Sequence, residues 1–214
     1  FDYYVAEFDE SEGTLTFKGT NTAPDGITSW DATNTGDKPA WYDYHGQILK
    51  VVFDETFAAA KPTSCARWFD DFYYAISIYG VKNLNTSEVT SMRRMFANYG
   101  SYNYISTLDL STFNTSKVTN MTRMFYTTNL TTIYAGIGWD VSNVTESDDM
   151  FLGSFRIRGQ YGADPDYSDK KDHTRANFDK EDGLLCFSGL IIKDLDDDTN
   201  AKLLEQYNGK TVKA

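Results

Sequence analysis

Histidine and cysteine are almost missing from this chain of 214 residues, which has two of each. His45 and His173 stand on opposite sides of the middle of the chain, and neither has a Cys or His neighbour at metal-ligand spacing. No metal or other cofactor is expected. Two cysteines say little about redox compartment. Cys65 falls on an apolar column described below and is expected as a buried thiol. Cys186 sits in the apolar run Leu184-Leu185-Cys186-Phe187, and a disulfide between the two would have to span the middle of the chain. No apolar run approaches the roughly 18 residues of a membrane helix, so no transmembrane segment is expected. No signal peptide opens the sequence. The chain begins at Phe1 without Met, so this lack does not argue against export. A Gly-x-Ser-x-Gly elbow, a phosphate-binding glycine loop and a dinucleotide fingerprint are missing too. Carboxylates are plentiful, but nothing marks one as an acid and another as its base. An enzyme is not expected.

An excess of base is also missing. The net charge is −11. Residues 1–60 carry 3 basic and 11 acidic groups, residues 61–159 carry 9 and 8, and residues 160–214 carry 8 and 12. A chain with no basic stripe is a poor binder of nucleic acid or anionic membrane. The near-neutral middle suits a contact surface, with acidic, solvated flanks.

What the sequence does have is a repeat. Val89-Thr-Ser-Met-Arg-Arg-Met-Phe96 returns as Val118-Thr-Asn-Met-Thr-Arg-Met-Phe125 and Val144-Thr-Glu-Ser-Asp-Asp-Met-Phe151, with a worn earlier copy, Pro62-Thr-Ser-Cys-Ala-Arg-Trp-Phe69. The closing Phe residues are 27, 29 and 26 positions apart. A period of this size predicts stacked supersecondary units, each burying its apolar face on the next. Aligned on Phe69, Phe96, Phe125 and Phe151, the copies form columns of core candidates. These are Phe57, Leu84, Phe113 and Trp139; Val89, Val118 and Val144; Met92 and Met121 with Cys65 and Ser147; and Met95, Met124 and Met150 with Trp68.

Apolar positions 0, 3, 6 and 7 of the phrase predict one face of a short helix. The column Thr63, Thr90, Thr119 and Thr145, just ahead of it, predicts N-caps. Ile105-Ser-Thr-Leu-Asp-Leu110 alternates like a half-buried strand, and Ile48–Phe53, Ala75–Tyr79 and Leu130–Tyr134 occupy comparable places. Such strands would pair in parallel, with the helices on the other side of a curved sheet.

These residues also resemble a known family. Leu108 to Phe125, Asn85 to Met92 and Trp139 to Thr145 are similar to the repeat of BspA-like bacterial surface proteins, a leucine-rich-repeat-like group. The likeness covers residues 48–151. It implies an exported, cell-surface or lipid-anchored protein with an adhesive or host-interaction role. The chain departs from the pattern three positions after each Phe, where Phe72, Tyr99, Thr128 and Ser154 replace the usual small residue or Cys, and at Ser147 in the Met column.

The fold expected is therefore a leucine-rich-repeat-like repeat solenoid of short parallel strands and short capped helices. A β-hairpin N-terminal cap occupies residues 1–47, the four-repeat solenoid 48–159 and a mixed α+β C-terminal segment 160–214. Val5–Phe8 and Thr14–Phe17 read as the hairpin, Trp41–Tyr44 as an aromatic plug, Gln160–Asp182 as a long loop. Leu184–Ile192 reads as a strand, Asn200–Asn208 as a helix, and Lys210–Ala214 as the start of a further strand.

Asp194-Leu-Asp-Asp-Asp-Thr-Asn-Ala-Lys-Leu-Leu-Glu205 has carboxylates at the count of a calcium loop. Thr199 stands where that loop needs Gly, so an acidic cluster ahead of a helix is the simpler reading. The Asn-x-Ser/Thr sequons at Asn85, Asn114, Asn120, Asn129 and Asn143 are by-products of the phrase.

The window Tyr99-Gly-Ser-Tyr-Asn-Tyr104 has the chemistry of an adaptable recognition loop, and lies in the lengthened interval. Tyr99, Tyr102, Tyr104 and the nearby Tyr126 are its candidate binding residues; the alternative is rings packed over neighbouring repeats. The function expected is non-catalytic binding of a host or neighbouring-cell protein or glycan by a monomer, and the alternative is a passive spacer.

Overall fold

The computed structural model describes residues 1–102, 105–165 and 170–188. The N-terminal hairpin pairs β1 (Tyr3–Asp9) with β2 (Thr14–Thr20), in register from Tyr3↔Thr20 to Asp9↔Thr14. Asp9 closes its turn by accepting the Ser11 and Glu12 amides at 2.9 and 3.2 Å. β3 (Ser29–Asp31) pairs antiparallel with β1. β4 (Lys50–Phe53) lies parallel to β2, and β5 (Ser77–Tyr79) parallel to β4. The first sheet therefore runs β3-β1-β2-β4-β5. A second, parallel sheet runs β6 (Thr107–Leu110), β7 (Thr132–Ala135) and β8 (Cys186–Phe187). Alternate residues face inward: Leu15 and Phe17, Val51 and Phe53, Leu108 and Leu110, Ile133 and Ala135 are all buried. The plug residue Trp41 is buried and donates its indole N–H to the Trp68 carbonyl at 2.9 Å.

The helix-capped, leucine-rich-repeat-like solenoid is overturned. The described residues contain no α-helix, only 3-10 turns of three to five residues such as Glu55–Ala59. The strands form two sheets, one mixed and one parallel, instead of one continuous curved sheet, because β5 and β6 do not pair. The result is a β-rich fold.

The repeated phrase folds as linked turns. Two residues before each closing Phe the backbone is left-handed, at Arg67 (φ 58°), Arg94 (55°), Arg123 (55°) and Asp149 (57°). Two residues after it the backbone is left-handed again, at Asp71, Asn98, Thr127 and Gly153. A left-handed residue every fourth position ends any α-helix before it completes a turn. In the second copy the amides of Met95, Ala97 and Tyr99 bond three residues back, at 3.1, 3.1 and 3.2 Å. The intervening amides of Met92, Arg94, Phe96 and Asn98 reach across to the carbonyls of Asn120, Thr122, Met124 and Tyr126 at 2.8–2.9 Å. Left-handed non-glycine residues cost about 1–3 kcal/mol each, and these cross-repeat bonds at about 1 kcal/mol apiece, with the rings beneath them, offset that. Apolar spacing alone cannot separate this ribbon from a helix, because both put positions 0, 3 and 7 on one side.

The threonine column does not cap helices either. The Thr90, Thr119 and Thr145 amides donate to the carbonyls of Thr63, Thr90 and Thr119 at 2.9 Å each, and their hydroxyls donate to the same oxygens at 3.2, 3.3 and 3.4 Å. Thr at this column bonds along the stack, not along its own segment.

The core lies between ribbon and strands. Phe69, Phe96, Phe125 and Phe151 form one ring column, with centroids 5.3, 5.9 and 5.6 Å apart. Met92, Met121, Met95, Met124, Met150, Val89, Val118, Val144, Phe57, Leu84, Phe113 and Trp139 are buried around it, as is Cys65. The described part of 160–182 contains a 3-10 turn, His173–Arg175. The calcium-loop candidate Asp194–Glu205, the helix 200–208 and residues 210–214 lie outside the described residues. Among the described residues, no helix is long and apolar enough to cross a membrane.

Candidate functional site

The recognition window divides. Tyr99 is 1% exposed and its ring meets Phe69 and Phe96 at 6.2 and 5.6 Å. It stands three positions after Phe96, in the column that also buries Phe72, Thr128 and Ser154. Tyr99 is therefore core, not contact surface, and burial pushes its phenol pKa up. Tyr102 is 66% exposed. Tyr104 lies outside the described residues. Tyr126 is half-buried beneath two guanidiniums, Arg123 at 5.4 Å and Arg94 at 6.0 Å from its ring centroid.

Tyr102 joins partners that the window does not contain. Its amide donates to the Tyr73 carbonyl at 3.0 Å, which lays its ring on that of Tyr73 with centroids 5.4 Å apart and planes 26° apart. Tyr74, 45% exposed, meets the Tyr102 ring at 5.4 Å and a tilt of 55°. His45 touches Tyr73 at 6.2 Å and stacks on Tyr42 at 5.0 Å. Five rings thus run in contact across the surface. Two positions after Tyr74, Ile76 is 53% exposed and bonds through its amide to the carbonyl of exposed Leu49 at 2.8 Å. The backbone explains the placement: left-handed Asp71 turns the chain out of the ribbon, and Asn98 does so one repeat later, followed by a second left-handed residue at Gly100 (φ 60°). The Gly100 amide bonds to the Phe72 carbonyl at 3.0 Å and aligns the two exits.

An ion network braces the strip from below. Asp70 is fully buried and accepts Arg67 Nε at 2.6 Å and Arg94 Nε and Nη2 at 2.9 Å each. Asp71 accepts the Tyr42 and Tyr73 hydroxyls and, at 2.7 Å, the side-chain amide Nδ2 of Asn98. Two carboxylates against two guanidiniums leave this cluster neutral, and Arg67 lies 4.4 Å from the centroid of the Tyr42 ring. Burial by itself would raise the Asp71 pKa, but the bonds from Tyr42, Asn98 and Tyr73 and the charge of Arg94 outweigh it and hold the carboxyl below its ordinary value. Burial first, then the bond to Asp71, pushes Tyr42 and Tyr73 up to about 12 each. At neutral pH both phenols are fixed donors, poorly suited to proton transfer.

The pH dependence follows. The depressed Asp71 stabilises the fold above its unfolded value of about 4, and that contribution goes as pH falls through the lower folded value. The raised phenols stabilise it below about 10, and their contribution goes as pH rises through about 12. Ultraviolet titration of the chain beside Tyr42→Phe and Tyr73→Phe variants should show both phenolates forming only near 12, and earlier in Asp71→Asn. Ionisation of both near 10 would contradict the network.

Sequence reasoning missed Tyr73, Tyr74, Leu49 and Ile76. One signal for the tyrosines was available: two adjacent aromatics stand just after Phe72, where a turn leaves the repeat. Among the described residues no group of three or more His, Cys, Asp or Glu side chains is arranged to hold a metal. Comparison with curated proteins and with solved structures finds no match. Residues 63–163, which hold the four ribbon turns and most of the aromatic strip, match the model of a family described as a Mycoplasma protein of unknown function, DUF285.

Proposed function

We propose that the chain is a non-catalytic binding module of an exported bacterial surface protein, taking a protein or glycan on the strip formed by Tyr73, Tyr74 and Tyr102 with Leu49 and Ile76. The observation that carries this reading is the exposure of Tyr74, Tyr102 and Ile76 together, at 45, 66 and 53%. Large apolar groups gathered on a surface mark contact sites more often than single ones do, and tyrosine gives broad amphipathic contact at low entropic cost. The ion network beneath supplies rigidity, so little order is lost when a partner docks. The export and surface placement rest on the resemblance of residues 48–151 to BspA-like surface proteins.

The test is binding of the purified chain, beside Tyr102→Ala, to arrays of extracellular-matrix proteins and glycans. Tyr102 is exposed, so the variant should keep its fold. A specific signal that falls at least tenfold in the variant is expected. Silence across both arrays, from two folded proteins, would leave the spacer reading in its place.

A further inference from the structure

The strip is not electrically neutral in its setting. Its Leu49 end abuts the N-terminal unit: the Leu49 amide donates to the Gly13 carbonyl at 2.7 Å, and Gly13 follows directly on the acidic hairpin turn. That turn, with β1 and β2, walls an open groove of about 920 Å³ lined by Glu7, Asp9, Glu10 and Glu12. Residues 1–60 hold 11 acids against 3 bases. Of those bases Lys18 is tied to Glu7 at 2.7 Å and Lys38 to Asp43 at 2.8 Å, while Lys50 stands beside Leu49. Asp37 is paired as well, with Arg93, so it is the Leu49 end of the patch that borders a negative surface, the turn carrying Asp9, Glu10 and Glu12.

The rings themselves show what they attract. Tyr42 carries Lys38 and Arg67 at 4.9 and 4.4 Å from its centroid, and Tyr126 carries Arg94 and Arg123. Tyr102 has no such cation among the described residues, although it is the most exposed ring of the strip. A cation over an aromatic face gains about 0.5–1 kcal/mol at exposed sites and more once desolvated.

From these contacts and this charge distribution we infer that the partner of the strip is a lysine- or arginine-bearing segment of another protein, its cations over Tyr102 and toward the acidic groove, its apolar stems against Ile76 and Leu49. This rests on the binding reading above and narrows it to one chemistry. Long basic side chains suit both halves of the surface, because their stems are apolar and their heads charged. A neutral glycan would use the rings and leave the acidic field without a role.

The experiment is calorimetric titration of the full chain with oligolysine and with oligoarginine of about 20 residues, a length that spans several side-chain sites. Oligoglutamate and a panel of neutral glycans are the comparators. Tyr102→Ala and the double variant E10Q/E12Q, all at exposed positions, are titrated beside it. Cationic peptide should bind the parent chain and weaken at least tenfold in either variant and with added salt. Equal binding to Tyr102→Ala would reduce the effect to charge alone and overturn the inference. A neutral glycan that binds in a Tyr102-dependent way, with no response to cationic peptide, would overturn it and leave the binding module standing. No Tyr102-dependent partner of any kind would overturn both.

Discussion

Replacing Phe125 by alanine is expected to lower the unfolding free energy by about 3–5 kcal/mol, the range for a buried Phe truncation that leaves a cavity. Phe125 is fully buried between two parallel rings, Phe96 at 5.9 Å and 8° and Phe151 at 5.6 Å and 18°. Its amide also bonds to the Met150 carbonyl at 2.9 Å, so ring column and cross-repeat ladder are fastened at the same residue. A cavity there cannot close unless the ribbon shifts, and the ladder resists that shift. Chemical denaturation should show the loss as a fall in midpoint. Phe155→Ala, at an exposed ring of the last repeat, should stay within about 0.5 kcal/mol. Similar losses in the two variants would mean that the ring column is not the core.

The second large effect is at Asp70. Asparagine here keeps the shape and removes the charge, leaving Arg67 and Arg94 facing each other over a site fully closed to water on the Asp70 side. Breaking a buried pair costs about 3–5 kcal/mol. Because both guanidiniums retain some contact with solvent, a loss near about 2–3 kcal/mol is expected, with the Coulomb contribution discounted for screening. Removing all three charges in R67M/D70L/R94M should restore part of the stability, since no guanidinium is then left without its carboxylate and Asp71, which loses Arg94, keeps the Tyr42, Tyr73 and Asn98 donors. The same triple variant strips the guanidinium from Tyr42, and the strip above should lose rigidity while the fold persists. Thermal unfolding of the two variants, read with the accessibility of Tyr73, separates these effects. A triple variant as unstable as Asp70→Asn would show that the network matters for more than charge balance.

Much of the strand layer was legible. Ile105 to Leu110 alternates, and β6 forms there with Leu108 and Leu110 inward. The period of the phrase was legible too, as the columns that meet in the core. The helix was not a sound reading, because an apolar spacing of 0, 3 and 7 suits linked turns equally well. What separates them is a left-handed residue every fourth position, and arginine at three of the four positions before Phe gives no hint of it. The column after Phe was more telling: Asp71, Asn98 and Gly153 are residue types that tolerate this conformation.

For the site, composition drew attention to residues 99–104 but could not divide them. Tyr99 belongs to the buried column of Phe72, Thr128 and Ser154, and that membership, not the local richness in Tyr, decides where it points. Tyr73 and Tyr74 were missed because they meet Tyr102 only through pairing of two repeat exits.

The central claim, that the linked turns bury one tyrosine of the window and lift its neighbour into an exposed aromatic face, is tested most directly by nitration of the native chain with peptide-resolved readout. Tyr102 and Tyr74 should be modified early, and Tyr99 only on unfolding. Tyr99 reacting as fast as Tyr102 in the folded protein would contradict the account.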